Sequence, residues 1–401
     1  MTRLDERSRV NDSELTMTRP LPTALLLLAV TTWLTCSSSS DPSGLHYAYR
    51  VPPQVDDGWE TASLASVGMD AGRLIRLMDT LLEAEEHRIH GVLVVKDGKL
   101  VFEEYFSGYK FSLAQQGEYI VFDRDTLHNL ASVTKSITSA LVGIALDRGS
   151  IASLNERAFT YFPEYADLSG GGKNEIRLEH LITMTSGLQW DEETYWYPDP
   201  RNDIVQLFLV DDPIRFVLAK PLVAEPGTQF HYSGGCTNVL GEIVSKAAFT
   251  GLDDFSEQFL FTPLGVTDFE WQYLPGGVVF ASGDLRLRPR DMAKFGYMYL
   301  SRGTWGEARV LSQNWIDVST SRHIPLDWGW TDGYGYGWWT QTYATAGGAV
   351  ETYFAAGWGG QQISVVPELD MVVVFTGGGY YEDPLLSPDE MMRDYVLPAA
   401  R

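Results

Sequence analysis

Apolar residues in the first quarter of the chain follow two kinds of pattern. Six of them recur at helical spacing after Asp70, a residue that can cap a helix: Leu74, Ile75, Leu77, Met78, Leu81 and Leu82. Two apolar runs, 92–95 and 100–102, then flank Lys96-Asp97-Gly98-Lys99. Asp-Gly supplies the positive φ that a tight hairpin turn needs. The pattern therefore predicts a helix that begins after Asp70, followed by a β-hairpin.

The stretch from Ser132 to Arg148 has the pattern of a second helix. Its apolar stripe is made by Ile137, Leu141, Ile144 and Ala145, and Gly149 can end it. From about residue 150 to 270 helical patterns alternate with long polar loops. This middle part is predicted to be mostly helical.

The last third of the chain returns to strand-like sequence. Gln362–Val366 and Met371–Phe375 are β-rich runs joined by Pro367-Glu368-Leu369-Asp370, which predicts a hairpin in a central antiparallel sheet. Ser387, with Pro388 and Glu390, then forms a capping box for a final helix.

These elements predict one α/β fold, a central antiparallel sheet flanked by helices with a second, mostly helical lobe. We expect one domain over residues 61–401, with a sheet lobe at about 61–130 and 270–401 and a helical lobe at about 131–269. Because the two lobes meet along one boundary, a functional site is expected between them.

The first 60 residues have the pattern of an export leader and a tether. An apolar stretch, 21–34, is too short to span a bilayer comfortably and follows Arg19. It ends at Cys36 and four serines, which resembles a lipoprotein signal with Cys36 as the lipidated first residue. Residues 1–36 are therefore predicted to be a leader, and 37–60 a Ser/Pro-rich tether, with ordinary secretory cleavage or an uncleaved anchor as alternatives. The expected location is periplasmic or membrane-anchored, alternatively secreted.

Composition narrows the function classes. The chain carries 53 acidic and 30 basic residues, a formal charge of −23, which disfavours binding to nucleic acid. Three arginines at 286, 288 and 290 are better explained as members of ion pairs. Two cysteines, Cys36 and Cys236, cannot form a disulfide framework, and the chain has no C-x-x-C or H-E-x-x-H motif. The sequence therefore predicts no metal and no cofactor.

Ser132 and Lys135 form the first candidate for chemistry. At the start of a helix, residues three apart lie on one face, so a hydroxyl and an amine would meet there. A serine hydroxyl needs a base to become a nucleophile, and a lysine can be that base only if desolvation lowers its pKa. On its own the spacing is also typical of a helix start with a solvated lysine.

Four further motifs follow Leu127–Lys135 in order, and they favour a catalytic Ser132–Lys135 pair over an ordinary helix start. They are Leu181–Leu188, Pro226–Ser233, Pro263-Leu264-Gly265 and Gly335–Trp339. Together the five motifs resemble the β-lactamase-related serine hydrolases, a group that includes class C β-lactamases, D-alanyl-D-alanine carboxypeptidases, family VIII esterases and 6-aminohexanoate-dimer hydrolases. The resemblance covers about residues 65 to 380, and it implies a β-lactamase/transpeptidase-like fold and a hydrolase acting on small-molecule esters or amides.

The resemblance also implies roles for individual residues. Ser132 would be the nucleophile, Lys135 its general base and Tyr232 the second acid/base. The family's third motif, often Lys-Thr-Gly, would correspond to Trp358, Gly359 and Gly360. The backbone N–H of Gln361 would be the second oxyanion donor, after the backbone N–H of Ser132. An aromatic loop contributes candidate substrate contacts, Tyr195 and Tyr197, and a plain cleft wall is the simpler interpretation of that loop.

Two departures from the family pattern concern the substrate. Gly234 ends the second motif where β-lactamases and carboxypeptidases usually carry asparagine, and Trp358 stands in place of the third-motif lysine. A desolvated cationic partner contributes about 1.5–3 kcal/mol to binding a carboxylate. Both departures favour esters or amides without that carboxylate. A carboxypeptidase, a penicillin-binding protein, a β-lactamase, and an inactive binding protein on the same scaffold remain alternatives.

Overall fold

The computed structural model describes residues 47–111 and 117–400. Its strands are numbered in chain order: β1 Glu60–Thr61, β2 Ile89–Lys96, β3 Lys99–Tyr105, β4 Ser107–Lys110, β5 Glu118–Val121, β6 His128–Asn129, β7 Phe269–Glu270, β8 Arg286–Leu287, β9 Thr304–Trp305, β10 Ala308–Arg309, β11 Ile324–Pro325, β12 Gly333–Tyr334, β13 Trp339–Thr345, β14 Gly348–Gly357, β15 Gln361–Val366 and β16 Met371–Gly377.

Helices occupy the segments between and after these strands. They are α1 Ala71–Glu83, α2 Thr134–Asp147, α3 Leu178–Ile182, α4 Asp203–Leu207, α5 Pro213–Ala219, α6 Gly234–Ala248, α7 Leu252–Ser256, α8 Pro289–Leu300, α9 Gln313–Ser319, α10 Pro388–Met391 and α11 Leu397–Ala399. Two of them, α7 and α10, run on into single π-helical turns, Glu257–Phe261 and Met392–Val396.

The main sheet has nine strands in the order β1-β3-β2-β16-β15-β14-β13-β12-β11. Its neighbours are antiparallel except β1, which runs parallel to β3. The two predicted hairpins are thus central strands. In the first of them Asp97 (φ 52°) and Gly98 (φ 73°) adopt the predicted positive-φ turn.

The sheet is covered on both faces. Val92 and Val94 pack into a cluster with α1 and the C-terminal helices, whereas Leu93 and Val95 point into the larger core shared with the helical lobe. Successive side chains of a strand face opposite sides, so a strand buried on both faces reads as a continuous apolar run. This explains why the strand sequences show no polar alternation.

The helical lobe is built around α2 and α6, which pack against each other. Residues 134–145 of α2 are all buried, so the stripe seen in the sequence is one part of a helix enclosed on every side. The helices of this lobe lie between β6 and β7 in the chain.

Two predicted boundaries need correction. The helix predicted from Ser132 begins as a 3₁₀ turn, Ala131–Val133, and becomes α-helical at Thr134. In addition, the C-terminal part of the predicted 37–60 tether is packed against the domain: the Tyr49 ring stacks on Phe102 at 6.1 Å, and Trp59 is 2% exposed. Aromatic residues in that segment gain buried area that a purely polar linker could not.

The structure bears to different extents on the leader, the cysteines and the basic run. The leader and Cys36 lie outside the described residues, while Cys236 is buried. The three arginines of the basic run all pair with carboxylates: Arg286 with Glu270, Arg288 with Asp268, Arg290 with Asp57 and Glu103. No helix in the described ranges combines the length and apolar character needed to cross a membrane.

Candidate active site

Ser132 lies in the 3₁₀ turn that leads into α2. The residue before it, Ala131, has φ 44°, a conformation that non-glycine residues rarely adopt. Two side chains hold this turn: Asn129 Oδ1 accepts a hydrogen bond from the Ala131 N–H at 2.7 Å, and the Thr134 hydroxyl donates to the Ala131 carbonyl at 2.7 Å. The strained turn fixes Ser132 at the mouth of the helix.

Lys135 lies beneath Ser132 in the core. Its Nζ donates to Ser132 Oγ at 2.9 Å and to the Ser282 carbonyl at 3.0 Å. The side chain is only 4% exposed. Burial lowers the pKa of Lys135, and the charge of Glu192 opposes part of this effect. A lysine with a lowered pKa is more easily neutral, which is the form that accepts a proton.

Tyr232 approaches the same serine from the second motif. Its side chain interacts with that of Ser132, and its ring centroid lies 4.8 Å from Lys135 Nζ. Ser233, the N-cap of α6, accepts a hydrogen bond from Cys236 N and so fixes the turn that carries Tyr232. Burial, with the nearby charge of Glu192, raises the pKa of Tyr232, so its hydroxyl stays protonated.

Glu192 also belongs to this cluster, and the sequence did not indicate a role for its charge. It lies in the aromatic loop, where the tyrosines were the predicted substrate contacts. One carboxylate oxygen lies 3.9 Å from Lys135 Nζ, and the side chain is 6% exposed. The other oxygen accepts from the Gly234 N–H at 2.6 Å and from Trp190 Nε1 at 2.6 Å. The one sequence feature related to this contact is the glycine at position 234. A side chain there would conflict with the glutamate, because a Cβ on Gly234 would lie 2.9 Å from Glu192 Oε2.

The end of β14 forms the wall nearest Ser132. A Cβ on Gly357 would lie 2.4 Å from the Leu130 carbonyl oxygen and 3.0 Å from Ser132 N. Only glycine permits this approach of strand to nucleophile. Trp358 follows at the edge of the cleft.

The third-motif residues that follow Trp358 lie in a turn and at the start of the next strand. Gly359 and Gly360 (φ 89° and 91°) form the turn after β14 and face Tyr380 and Gly377 rather than the cleft. Gln361 starts β15, and its buried side chain donates to the Gly377 carbonyl at 2.7 Å and accepts from the Gly377 N–H at 3.0 Å. None of these three residues belongs to the lining of the cleft above Ser132, although Gln361 is the cross-strand partner of Gly357.

The cleft above Ser132 has a volume of about 390 Å³. The predicted contacts Tyr195, Tyr197 and Trp358 all line it, and Tyr197 stacks on Trp358 with ring centroids 5.0 Å apart. The remaining lining residues are Ser132, Glu192, Glu193, Trp196, Tyr232, Trp328, Trp330, Trp339, Ala356 and Gly357. Within the described ranges no group of three or more His, Cys, Asp or Glu residues is arranged to hold a metal ion.

The beta-lactamase family model matches residues 71–385, most of the described chain. The chain belongs to the β-lactamase family. It is accordingly a serine hydrolase, and the family's fold of a large sheet with flanking helices is the one described above.

Relatives within the β-lactamase family carry several names. The chain is 25% identical over 313 residues to 6-aminohexanoate-dimer hydrolase of Paenarthrobacter ureafaciens, covering 75% of each protein. It is 27% identical over 216 residues to esterase EstB of Burkholderia gladioli, covering 50% of this chain and 52% of that protein. The solved structure of a family VIII carboxylesterase matches with a TM-score of 0.61 at 17% identity, over 83% of this chain and 98% of that one. Proteins named as a 6-aminohexanoate-dimer hydrolase and as an esterase are thus both similar to this chain.

Proposed function

We propose that this protein cleaves ester or amide bonds of small molecules through an acyl-enzyme on Ser132, with Lys135 as general base and Tyr232 as general acid. The observation that carries the proposal is the convergence of two proton-transferring groups on one hydroxyl. Lys135 Nζ is hydrogen-bonded to Ser132 Oγ, the Tyr232 side chain lines the same cleft and interacts with Ser132, and burial moves the pKa values of Lys135 and Tyr232 in opposite directions.

In the acylation step the two groups have complementary tasks. Ser132 Oγ forms a bond to the substrate carbonyl carbon while its proton passes to neutral Lys135. Collapse of the tetrahedral intermediate breaks the C–O or C–N bond, and the leaving group takes the proton of the Tyr232 hydroxyl. The proton on Lys135 then restores Tyr232.

Two backbone N–H groups would stabilise the oxyanion, those of Ser132 and Trp358. We assign the second donor to Trp358 instead of Gln361, because Gly357 is the strand residue in contact with the nucleophile and Trp358 comes next. In deacylation a water attacks the acyl carbon and gives a proton to Lys135. Cleavage of the acyl–Oγ bond then returns a proton to Ser132.

Glu192 is a positioning residue in this scheme. Its carboxylate binds the Gly234 N–H and lies 3.9 Å from Lys135 Nζ, so it connects the second motif to the base. The negative charge favours protonated Lys135 and thereby limits how far burial lowers the pKa. We infer that it sets the pH at which the base becomes active.

The cleft favours substrates without a carboxylate. The lining described above contains two glutamates and no basic side chain. Lys135 lies deeper, below Ser132. A penicillin or a peptide C-terminus would meet negative charge there. An esterase or amidase is therefore the preferred member of the family, ahead of a β-lactamase or carboxypeptidase.

The test combines covalent labelling with a substrate screen. Purified protein is treated with a fluorophosphonate and digested, and the labelled peptide is identified by mass spectrometry. The same protein is assayed on p-nitrophenyl butyrate, nitrocefin, a D-Ala-D-Ala peptide and linear amides. Labelling of Ser132 with ester or amide turnover is expected. Label on another residue, or turnover confined to nitrocefin or the peptide, would contradict the proposal.

We also propose that the protein is exported and anchored through a lipid on Cys36. The support is the sequence alone, the apolar 21–34 stretch followed by Cys36 and four serines. Mass spectrometry of the mature N-terminus tests this. A diacylglyceryl cysteine at position 36 is expected, and a mature N-terminus downstream of Cys36 would exclude it.

A further inference from the structure

Three tryptophans form one wall of the cleft. The ring centroids of Trp330 and Trp339 lie 4.7 Å apart, those of Trp328 and Trp339 5.8 Å, and those of Trp328 and Trp330 6.1 Å. Trp328 and Trp330 are 44% and 40% exposed, which is unusual for side chains of this size. This tryptophan wall presents ring faces and edges to whatever enters the cleft.

Four further aromatic residues line the same cleft. Tyr197 stacks on Trp358, Tyr195 also contributes to the lining, and Trp196 is 65% exposed. The cleft is therefore lined mainly by π-systems. The negative faces of such rings attract cations, most strongly those of tryptophan.

The charges at this cleft are negative. Glu192 and Glu193 are the charged side chains in its lining, and each raises the local preference for a positive ligand. The guanidinium of Arg201 packs on the Tyr195 ring at 4.1 Å, but it donates to the Asp199 carboxylate at 2.6 Å. The charge of the whole chain, −23, acts in the same direction by attracting cations to the molecule.

The position of Tyr232 decides which part of a substrate meets the tryptophan wall. Its ring stacks on Trp339 with centroids 5.6 Å apart. In the proposed function Tyr232 gives its proton to the leaving group, so that group lies beside Trp339 and its neighbours. The acyl group lies on the other side of the Ser132 hydroxyl.

We propose that the preferred substrates carry a positive charge, a quaternary or alkylated ammonium, on the leaving group. The tryptophan wall would hold the cation by its ring faces, with Glu193 at the rim as the opposite charge. This inference rests on the proposed function, because it needs a leaving group next to Tyr232. It names the chemical class of substrate that the proposed function leaves open.

The experiment compares two esters of the same shape. Butyrylcholine carries a trimethylammonium group, and 3,3-dimethylbutyl butyrate has a carbon in place of that nitrogen. Each kcat/KM is measured by release of butyrate and divided by the rate constant of hydroxide-catalysed hydrolysis, which removes the difference in intrinsic reactivity. The corrected ratio is expected to exceed about tenfold in favour of the cation, as a partly desolvated cation–π site predicts.

Three variants locate the source of that preference. Trp330→Leu and Glu193→Gln should each lower the corrected ratio at least about threefold. Glu307→Gln removes the same charge from an exposed position outside the cleft lining, and it should leave the ratio unchanged. Equal losses in Glu193→Gln and Glu307→Gln would show a general charge effect and would overturn the inference.

The outcomes separate this inference from the proposed function. A corrected ratio near one, with the neutral ester hydrolysed by wild type and not by Ser132→Ala, would overturn the cation preference and leave the esterase or amidase proposal standing. Failure to hydrolyse either ester, p-nitrophenyl butyrate or a linear amide, together with no fluorophosphonate label on Ser132, would overturn both.

Discussion

Glu192 and Gly234 occupy complementary space: the carboxylate accepts the Gly234 N–H at 2.6 Å and lies where a side chain at position 234 would begin. A Cβ on Gly234 would be 2.4 Å from Ile204 Cδ1 and 2.9 Å from Glu192 Oε2. The missing motif asparagine and the buried glutamate are therefore one structural feature. Its consequence is that the asparagine cannot simply be restored.

Gly234→Ala tests this relationship. The added Cβ should displace Glu192 and the turn that carries Tyr232, lowering kcat/KM for a p-nitrophenyl ester at least about tenfold and the stability by about 1–3 kcal/mol. Steady-state kinetics and thermal unfolding measure the two effects. Gly170→Ala is the control, since nothing lies within 4 Å of its Cβ. Wild-type kinetics in Gly234→Ala would show that Glu192 has room to move.

Ser132→Ala should abolish turnover and fluorophosphonate labelling. Its hydroxyl is the atom on which Lys135 and Tyr232 converge, so its loss removes the nucleophile without opening the core. The control is Ser66→Ala, a change at an exposed serine outside the cleft lining. This variant should be labelled and should hydrolyse the ester like wild type. Residual activity of Ser132→Ala above a tenth of wild type, with correct folding shown by circular dichroism, would remove Ser132 from this role.

The pH dependence of the reaction reports on Lys135. The base is active when neutral, so kcat/KM should rise with pH through the pKa of Lys135, which burial lowers. Glu192 stabilises the protonated form, and Glu192→Gln removes that charge while keeping the hydrogen-bond acceptor for Gly234. The pKa of Lys135 should then fall further, moving the acid limb of the profile to lower pH.

Glu307→Gln again controls for the loss of one charge and should leave the acid limb in place. Profiles of kcat/KM against pH, measured with a neutral ester, give the comparison. An acid limb that moves to higher pH in Glu192→Gln would contradict the proposed influence of Glu192 on the base.

Gly357→Ala probes the contact between strand β14 and the nucleophile. The new methyl group would lie 2.4 Å from the Leu130 carbonyl oxygen and 3.0 Å from Ser132 N, so β14 or the 3₁₀ turn has to shift. Since misplacement by about 1 Å can cost about 10²-fold in rate, kcat should fall by about that factor with a smaller change in KM. The Gly170→Ala protein serves as the reference. An unchanged kcat would place the oxyanion donors elsewhere.

Substrate preference is the last expectation. Without a basic side chain in the cleft lining, kcat/KM for p-nitrophenyl butyrate should exceed that for nitrocefin by at least about 10²-fold, or about 2.7 kcal/mol of transition-state binding. Parallel assays with the two chromogenic substrates measure the ratio. Comparable values would favour the β-lactamase or carboxypeptidase alternative.

The sequence by itself determined the elements and the identity of the main groups. The Asp-Gly hairpin, the caps at Asp70 and Ser387, and the spacing of Ser132 and Lys135 follow from interactions within a few residues, which local sequence encodes directly. The family and its fold were likewise predicted from ordered motifs, and the match to the family model confirms them.

Only the tertiary structure decided what lies next to what across long separations. Glu192 reaches Lys135 and Gly234 because three segments meet in space, and no local pattern records such a contact. The close approach of the third motif also depended on packing: Gly357 is the residue that lies against Leu130 and Ser132, while the Gln361 side chain is bonded to Gly377. The tryptophan wall is assembled in the same way, from a loop and strand β13 that face Tyr232 only once the chain is folded.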